Sequence, residues 1–222
     1  MPPTAVLFDF DGVLADTENV HVVAWQRTLV RLGWEIPDDV AAPAGSTDDR
    51  AYAAELFARR GIEDADVDGW VRKKQELAAG MIGLSPRAFP GVAPLVRALA
   101  GRARLAIVST TWRENVDAFL AATGLADAFE LVVAKEDAAE LKPAPDGYLT
   151  ALERLGVAAA DAVAVEDSPR GLSAAEAAGV PRVAVGHRLE AGDWSIGATF
   201  IPALEPLADA LAALGFADRS AS

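Results

Sequence analysis

The stretch Ala5-Val6-Leu7-Phe8-Asp9-Phe10-Asp11-Gly12 decides the fold. Its first residues are apolar at consecutive positions rather than alternate ones, the pattern of a parallel strand covered on both faces. The run, read as a strand over 5–10, then gives way to two carboxylates and an Asp-Gly turn. Similar apolar runs follow at 105–109, 131–133, 162–166 and 183–185. Between them the patterning predicts helices at 92–100, 113–123, 146–156 and 170–178. Gly124, Gly156 and Gly179 fall just past three of these, where a helix C-terminus favours glycine. Strand–helix alternation of this kind predicts an α/β protein with a doubly wound, Rossmann-like parallel sheet.

One region breaks the rhythm. From 17 to 87 no strand pattern occurs, only helical ones at 21–32, 50–60 and 68–81, so a helical insertion after the first strand is expected. The expected division is a core of 1–16 and 84–222 with an inserted unit of 17–83. The tail at 219–222 is expected to fray.

Composition narrows the function classes. The 222 residues hold 52% hydrophobic and 24% charged residues, as in a globular protein. Asp and Glu number 33 against 20 Lys and Arg, a formal charge of −13. Such a field repels phosphate backbones and anionic lipid, so nucleic acid and membrane are excluded as expected partners. Cysteine is absent, which removes disulfides, thiolate nucleophiles and Cys-ligated zinc. No window reaches the roughly 18 apolar residues of a membrane span. A cytoplasmic monomer is the expectation.

Polar residues collect at the ends of the predicted strands, where open α/β sheets place their sites. Asp9 and Asp11, two apart in an extended chain, point to one side. Like charges that close need a metal ion or a shared proton. Alone, the pair reads equally well as an ordinary strand-end turn. Ser109-Thr110-Thr111 ends the second strand, where hydroxyls and helix N–H groups hold phosphate oxygens, or simply cap the helix. Lys142 follows the third strand, as a phosphate counter-charge or a solvated lysine. Glu166-Asp167 ends the most apolar strand; Ser168 and Pro169 read as a helix start, which leaves the two carboxylates unexplained. Hard oxygen donors of this kind suit Mg²⁺.

In this order, Asp9-Phe10-Asp11-Gly12-Val13-Leu14, Ser109, Lys142-Pro143-Ala144-Pro145-Asp146 and Glu166-Asp167-Ser168, the chain resembles the haloacid dehalogenase superfamily of phosphotransferases over roughly residues 5–185. The resemblance implies Asp9 as nucleophile, forming an aspartyl-phosphate. It implies Asp11 as the acid that protonates the leaving alcohol and then activates water. Asp167, with Glu166, would join Asp9 and the Asp11 carbonyl around Mg²⁺, and Ser109, Thr110 and Lys142 would hold the phosphoryl group. A carboxylate nucleophile divides one hard displacement into two easier ones. Having Asp11 favours phosphate esters over carbon–halogen bonds, since a halide leaves without a proton.

The insertion resembles the small helical cap of the phosphoglycolate phosphatase and β-phosphoglucomutase branch, especially over 16–25. There the resemblance implies that Thr17 and His21 control the general acid and that Lys74 reaches the substrate. A helix-face histidine and a solvated lysine are the alternative readings. In the loop 44–50 acidic Asp48 and Asp49 stand where mutases carry an arginine for a second phosphate. Their repulsion of a bisphosphate favours a phosphatase acting on a small phosphorylated metabolite such as a sugar phosphate. A β-phosphoglucomutase-like mutase and a non-catalytic metabolite- or phosphate-sensing module are the alternatives.

Overall fold

The computed structural model describes residues 1–34 and 48–216. Its centre is a six-stranded, wholly parallel sheet in the order β3-β2-β1-β4-β5-β6. The strands are β1 (Ala5–Phe8), β2 (Arg104–Val108), β3 (Leu131–Val133), β4 (Ala162–Glu166), β5 (Arg182–Val185) and β6 (Thr199–Ile201). β1 is flanked by β2, with Phe8 opposite Ile107, and by β4, with Phe8 opposite Val165.

Both faces of β1 are buried, which explains its unbroken apolar run. Val6 and Phe8 join the cluster of Phe10, Leu95, Phe119 and Val165, while Ala5 and Leu7 face Tyr148, Ala151 and Ala174 on the other side. The covering helices are Val92–Leu99, Arg113–Thr123, Asp146–Leu155, Pro169–Ala177 and Leu207–Ala213. Gly124 and Gly156 end two of them in the left-handed conformation, as their positions predict. β1 stops two residues short of the 5–10 expectation, although Asp9 N–H still donates to Val165 O at 2.9 Å. β6 and the helix Leu207–Ala213 extend the sheet beyond what the sequence pattern indicates.

Among the described residues, three helices, Glu18–Val30, Asp49–Arg59 and Val67–Leu84, lie between β1 and the sheet-covering helix Val92–Leu99. They have a core of their own: Trp25, Leu29, Tyr52, Leu56, Phe57 and Val71. The chain enters and leaves this insertion side by side, Asp16 N–H donating to Arg87 O at 2.7 Å and Phe89 N–H to Leu14 O at 3.2 Å. The Val67–Leu84 helix packs along Arg113–Thr123 of the sheet layer. No helix among the described residues is long and apolar enough to cross a membrane. Of the loop 44–50, residues 44–47 fall outside the described residues, as does the tail expected to fray.

The winding direction reverses between β1 and β4: β2 and β3 lie on one side of β1, and β4, β5 and β6 on the other. At such a switch point the connecting chains diverge and leave a crevice at the carboxyl ends of the strands. Asp9 leaves the end of β1 there, and Glu166 and Asp167 end β4.

Candidate active site

Lys142 occupies the centre of the crevice. It is buried, and its three ammonium protons go to Asp9 Oδ1 at 2.6 Å, Glu166 Oε1 at 2.7 Å and Val108 O at 2.7 Å. Burial alone would lower its pKa; the Asp9 and Glu166 carboxylates outweigh it and hold the ammonium well above its ordinary value. The solvated-lysine alternative is therefore wrong. Arg170, one residue into the helix Pro169–Ala177, donates Nε to Lys142 O at 3.2 Å and fixes that backbone.

Beside this one cation stand three carboxylates. Ligand oxygens of Asp9, Glu166 and Asp167 lie within 4.8 Å of one another, the arrangement of a cation site. Desolvation first, then the charge of Asp9, raises Glu166 to about 7 and Asp167 to about 8. Glu166 is fully buried; Tyr148 Oη donates to its Oε1 at 2.5 Å, while its Oε2 has no hydrogen-bond partner in the protein. A buried, unpartnered carboxylate oxygen beside two further carboxylates fits a hard dication, whose charge would cancel the surplus. Gly12, at φ +85°, lets the first loop touch the last: a Cβ there would lie 1.7 Å from Asp167 Oδ2.

Asp11 sits apart from Lys142. Its side chain keeps 36% of its surface open to the cleft. Desolvation, opposed by Thr17 and reinforced by Asp9, pushes it up to about 7. Thr17 Oγ1 donates to Asp11 Oδ1, so this residue at the start of the first inserted helix caps nothing. His21 Nε2 lies 3.9 Å from the same oxygen.

Ser109 is buried at the end of β2, and its Oγ accepts from Thr111 N–H at 3.0 Å. The first N–H of the helix Arg113–Thr123 goes to Glu136, at 3.2 Å, and not to a hydroxyl of 109–111, so the capping alternative for this segment does not hold. Thr110 is exposed. Ser168 does cap its helix, accepting from Gly171 N–H at 3.1 Å.

Lys74 departs from the substrate-reaching role that the resemblance implies. It is 1% exposed, and its ammonium is taken up by Asp49 Oδ1 at 2.8 Å, Asp49 Oδ2 at 3.0 Å and His21 Nδ1 at 3.0 Å. The repulsion argument for the loop also needs correction. Asp49 is neutralised by Lys74, and Asp48 pairs with Lys135 of the core while capping its own helix through Arg50 N–H and Ala51 N–H. Arg50 points outward to Asp68 at 3.4 Å. Neither acid is free to repel a second phosphate.

Residues 6–185 match the haloacid dehalogenase-like hydrolase family. The chain belongs to that family. Protein CbbY of Rhodobacter capsulatus is 38% identical over 213 residues, 86% of this chain and 92% of that protein. The fructose-1-phosphate phosphatase YqaB of Escherichia coli is 32% identical, over 81% of this chain and 95% of its own. A crystal structure of a variant CbbY from Rhodobacter sphaeroides in complex with xylulose-(1,5)bisphosphate superposes with a TM-score of 0.80 at 29% identity, covering 92% of this chain and 96% of that one. As a member of this haloacid dehalogenase-like family with phosphatase relatives, the chain is a phosphoric monoester hydrolase.

Sequence reasoning missed Tyr148, Gln75 and Asn115, and took Asp49 for a loop charge facing the substrate rather than the partner of Lys74. Only Tyr148 left a signal: a tyrosine on a helix face otherwise built of Ala151, Leu152 and Leu155 must find a partner for its hydroxyl.

Proposed function

We propose that this phosphatase hydrolyses a phosphorylated sugar through a phospho-Asp9 intermediate, with Mg²⁺ held by Asp9, Asp167 and Glu166 and the Asp11 backbone carbonyl. The observation that carries the reading is the division of labour between Asp9 and Asp11. Asp9 is held at 2.6 Å by a buried cation that aims its carboxylate. Asp11, to which that ammonium gives none of its three protons, is pushed by burial up to about 7, where a carboxyl both gives and takes a proton at neutral pH.

One Asp9 oxygen attacks phosphorus and the bond from phosphorus to the leaving oxygen breaks. Asp11 delivers its proton to that oxygen, and the sugar departs as a neutral alcohol. Asp11, now a carboxylate, takes a proton from a water that attacks the phosphorus, which frees Asp9 and inorganic phosphate. Lys142 and the Ser109 hydroxyl stabilise the equatorial oxygens. Bound Mg²⁺ would offset the repulsion between an anionic nucleophile and an anionic phosphate. The helical insertion would act as the cap over this reaction. The sugar-phosphate assignment is supported by YqaB and by the CbbY complex, which name such compounds for those relatives.

The test is phosphate release from a panel of sugar phosphates, with Mg²⁺ and with chelator, together with mass spectrometry of acid-quenched enzyme. Magnesium-dependent release and a phosphoryl adduct on the peptide holding Asp9 are expected. Turnover that survives Asp9→Asn would remove the covalent mechanism. A mutase is separated by supplying β-glucose 1-phosphate with a trace of bisphosphate: isomerisation outrunning phosphate release would overturn the hydrolase reading.

A further inference from the structure

A buried polar chain runs from Asp11 into the helical insertion. Asp49 Oδ1 accepts from Trp25 Nε1 at 2.9 Å and from Lys74 at 2.8 Å; Oδ2 accepts from Lys74 at 3.0 Å and from Gln75 Nε2. Lys74 reaches on to His21 Nδ1 at 3.0 Å, and His21 Nε2 faces Asp11 Oδ1. On the other side Asn115 Nδ2 donates to Gln75 Oε1 at 3.0 Å and to Thr111 Oγ1 at 3.2 Å, which ties the chain to the loop after β2.

The valences in this chain are restrictive. An ammonium has three protons and no lone pair. Two Lys74 contacts go to Asp49, so the third is a donation to His21 and requires a bare Nδ1. Burial first, then the Lys74 charge, lowers His21 to about 4, so its ring is neutral near pH 7. Its single proton is then on Nε2, directed at Asp11 Oδ1. That oxygen already accepts from Thr17. At 3.9 Å the ring N–H faces Asp11 Oδ1 without a hydrogen bond, and the tautomer sets whether a donor or a lone pair meets that carboxyl.

We propose that Asp49 is a positioning residue for proton transfer: by holding Lys74 as an ammonium against His21 Nδ1, it fixes the Nε2–H tautomer and so keeps a ring N–H, rather than a bare nitrogen, turned toward the Asp11 carboxyl. This rests on the reading of Asp11 as the acid. Burial works against a charged Lys74, and Asp49 is the principal counterweight. Without Asp49 the amine gains a lone pair and accepts from His21 Nδ1–H. Nε2 is then bare, and a lone pair instead of an N–H faces the Asp11 carboxyl.

The experiment compares the full chain with Asp49→Asn, which keeps shape, and Asp49→Glu, which keeps charge. The first readout is the ¹⁵N spectrum of the His21 ring, assigned against the only other histidine, His187. A bare Nδ1 in the wild type and loss of that state in Asp49→Asn are expected, with Asp49→Glu restoring it. A protonated Nδ1 in the wild type, or an unchanged ring in Asp49→Asn, overturns the proposal. The second readout is kcat/KM for an alkyl phosphate, whose leaving group needs a proton, against p-nitrophenyl phosphate, whose leaving group barely does. Since general acid catalysis contributes roughly 10²–10⁴-fold, Asp49→Asn is expected to lose about tenfold or more on the alkyl ester and under about threefold on the nitrophenyl ester. Equal losses on both would show a structural role alone and overturn the proposal. A wild type inactive on both esters would break the Asp9 and Asp11 reading instead, and the His21 spectrum would still decide the tautomer.

Discussion

At the carboxyl edge of the sheet three carboxylates, Asp9, Glu166 and Asp167, gather beside the single ammonium of Lys142, which pairs with the first two, whereas inside the helical insertion Asp49 and Lys74 face each other one to one. Both clusters are buried, and their responses differ. Around Lys142, burial first and the surplus negative charge second push carboxyls to about 7 and 8, and one Glu166 oxygen is left unpartnered. Around Lys74 every proton of the ammonium has a taker and every oxygen of Asp49 has a donor. An unbalanced cluster is a place for an absent charge to enter; a balanced one holds a geometry. Chemistry is expected where the count fails to close.

The largest effect should come from the unbalanced cluster. Asp9→Asn removes the nucleophile while keeping its shape, and turnover is expected to fall on the order of 10⁴-fold or more. The same substitution also removes one surplus charge, so the melting temperature of the metal-free protein should not fall. An active Asp9→Asn enzyme, or one that has unfolded, would break the comparison.

The pH dependence of metal-free stability follows from the same surplus. Asp11, Glu166 and Asp167 have folded values of about 7, 7 and 8, above those of ordinary carboxyls. The folded state therefore binds more protons than the unfolded state between about pH 4 and 8, and stability must decline as pH rises through that window. In chelator the melting temperature should be lower at pH 8 than at pH 5. Saturating Mg²⁺ at pH 8 should raise it by about 5–10 °C, from roughly 2.7 kcal/mol of binding linkage at a hundredfold excess over Kd. A melting temperature that climbs with pH in chelator, or that ignores Mg²⁺, contradicts a cation site here.

The balanced cluster makes the converse prediction. Asp49→Ala strands a buried ammonium and should cost about 3–5 kcal/mol in urea unfolding, whereas the double variant Asp49→Leu/Lys74→Met should recover most of that loss. Additive losses would mean that the two residues do not act as the paired charges the geometry shows.

These two regions were not equally legible in the sequence. The core site could be read because each of its residues follows an apolar run, and parallel strands covered on both faces leave such runs uninterrupted: Ala162-Val163-Ala164-Val165 points directly at Glu166 and Asp167. β6 was not legible, since Thr199–Ile201 has three residues, of which only Ile201 is buried. The inserted cluster left no periodic trace. Asp49 and Lys74 are 25 positions apart on different helices, and Gln75 finds Asn115 across 40 positions. Lys73 and Lys74 look alike as a pair. Only the packing of Val67–Leu84 buries one of them and leaves the other exposed above the Trp70 ring.

The smallest effect is expected where insertion and core meet at the surface, at the ion pair of Lys135 with Asp48. Lys135 comes from the loop after β3 and lies 5.2 Å from the centre of the Trp112 ring, with 22% of its side chain exposed against 39% for Asp48. Solvent screens a pair this open, so Lys135→Ala should cost under about 1 kcal/mol, and less again at high salt. Asp48→Ala also removes the acceptor for Arg50 N–H and Ala51 N–H at 3.0 and 3.1 Å, a helix cap worth about 1 kcal/mol, and that part of the loss should not respond to salt. Urea unfolding of both variants at low and high salt separates the two contributions. A loss above about 2 kcal/mol for Lys135→Ala, insensitive to salt, would place a third buried charge contact at this junction; the small loss expected leaves the buried amides of Gln75 and Asn115 as the polar link that aligns insertion with core.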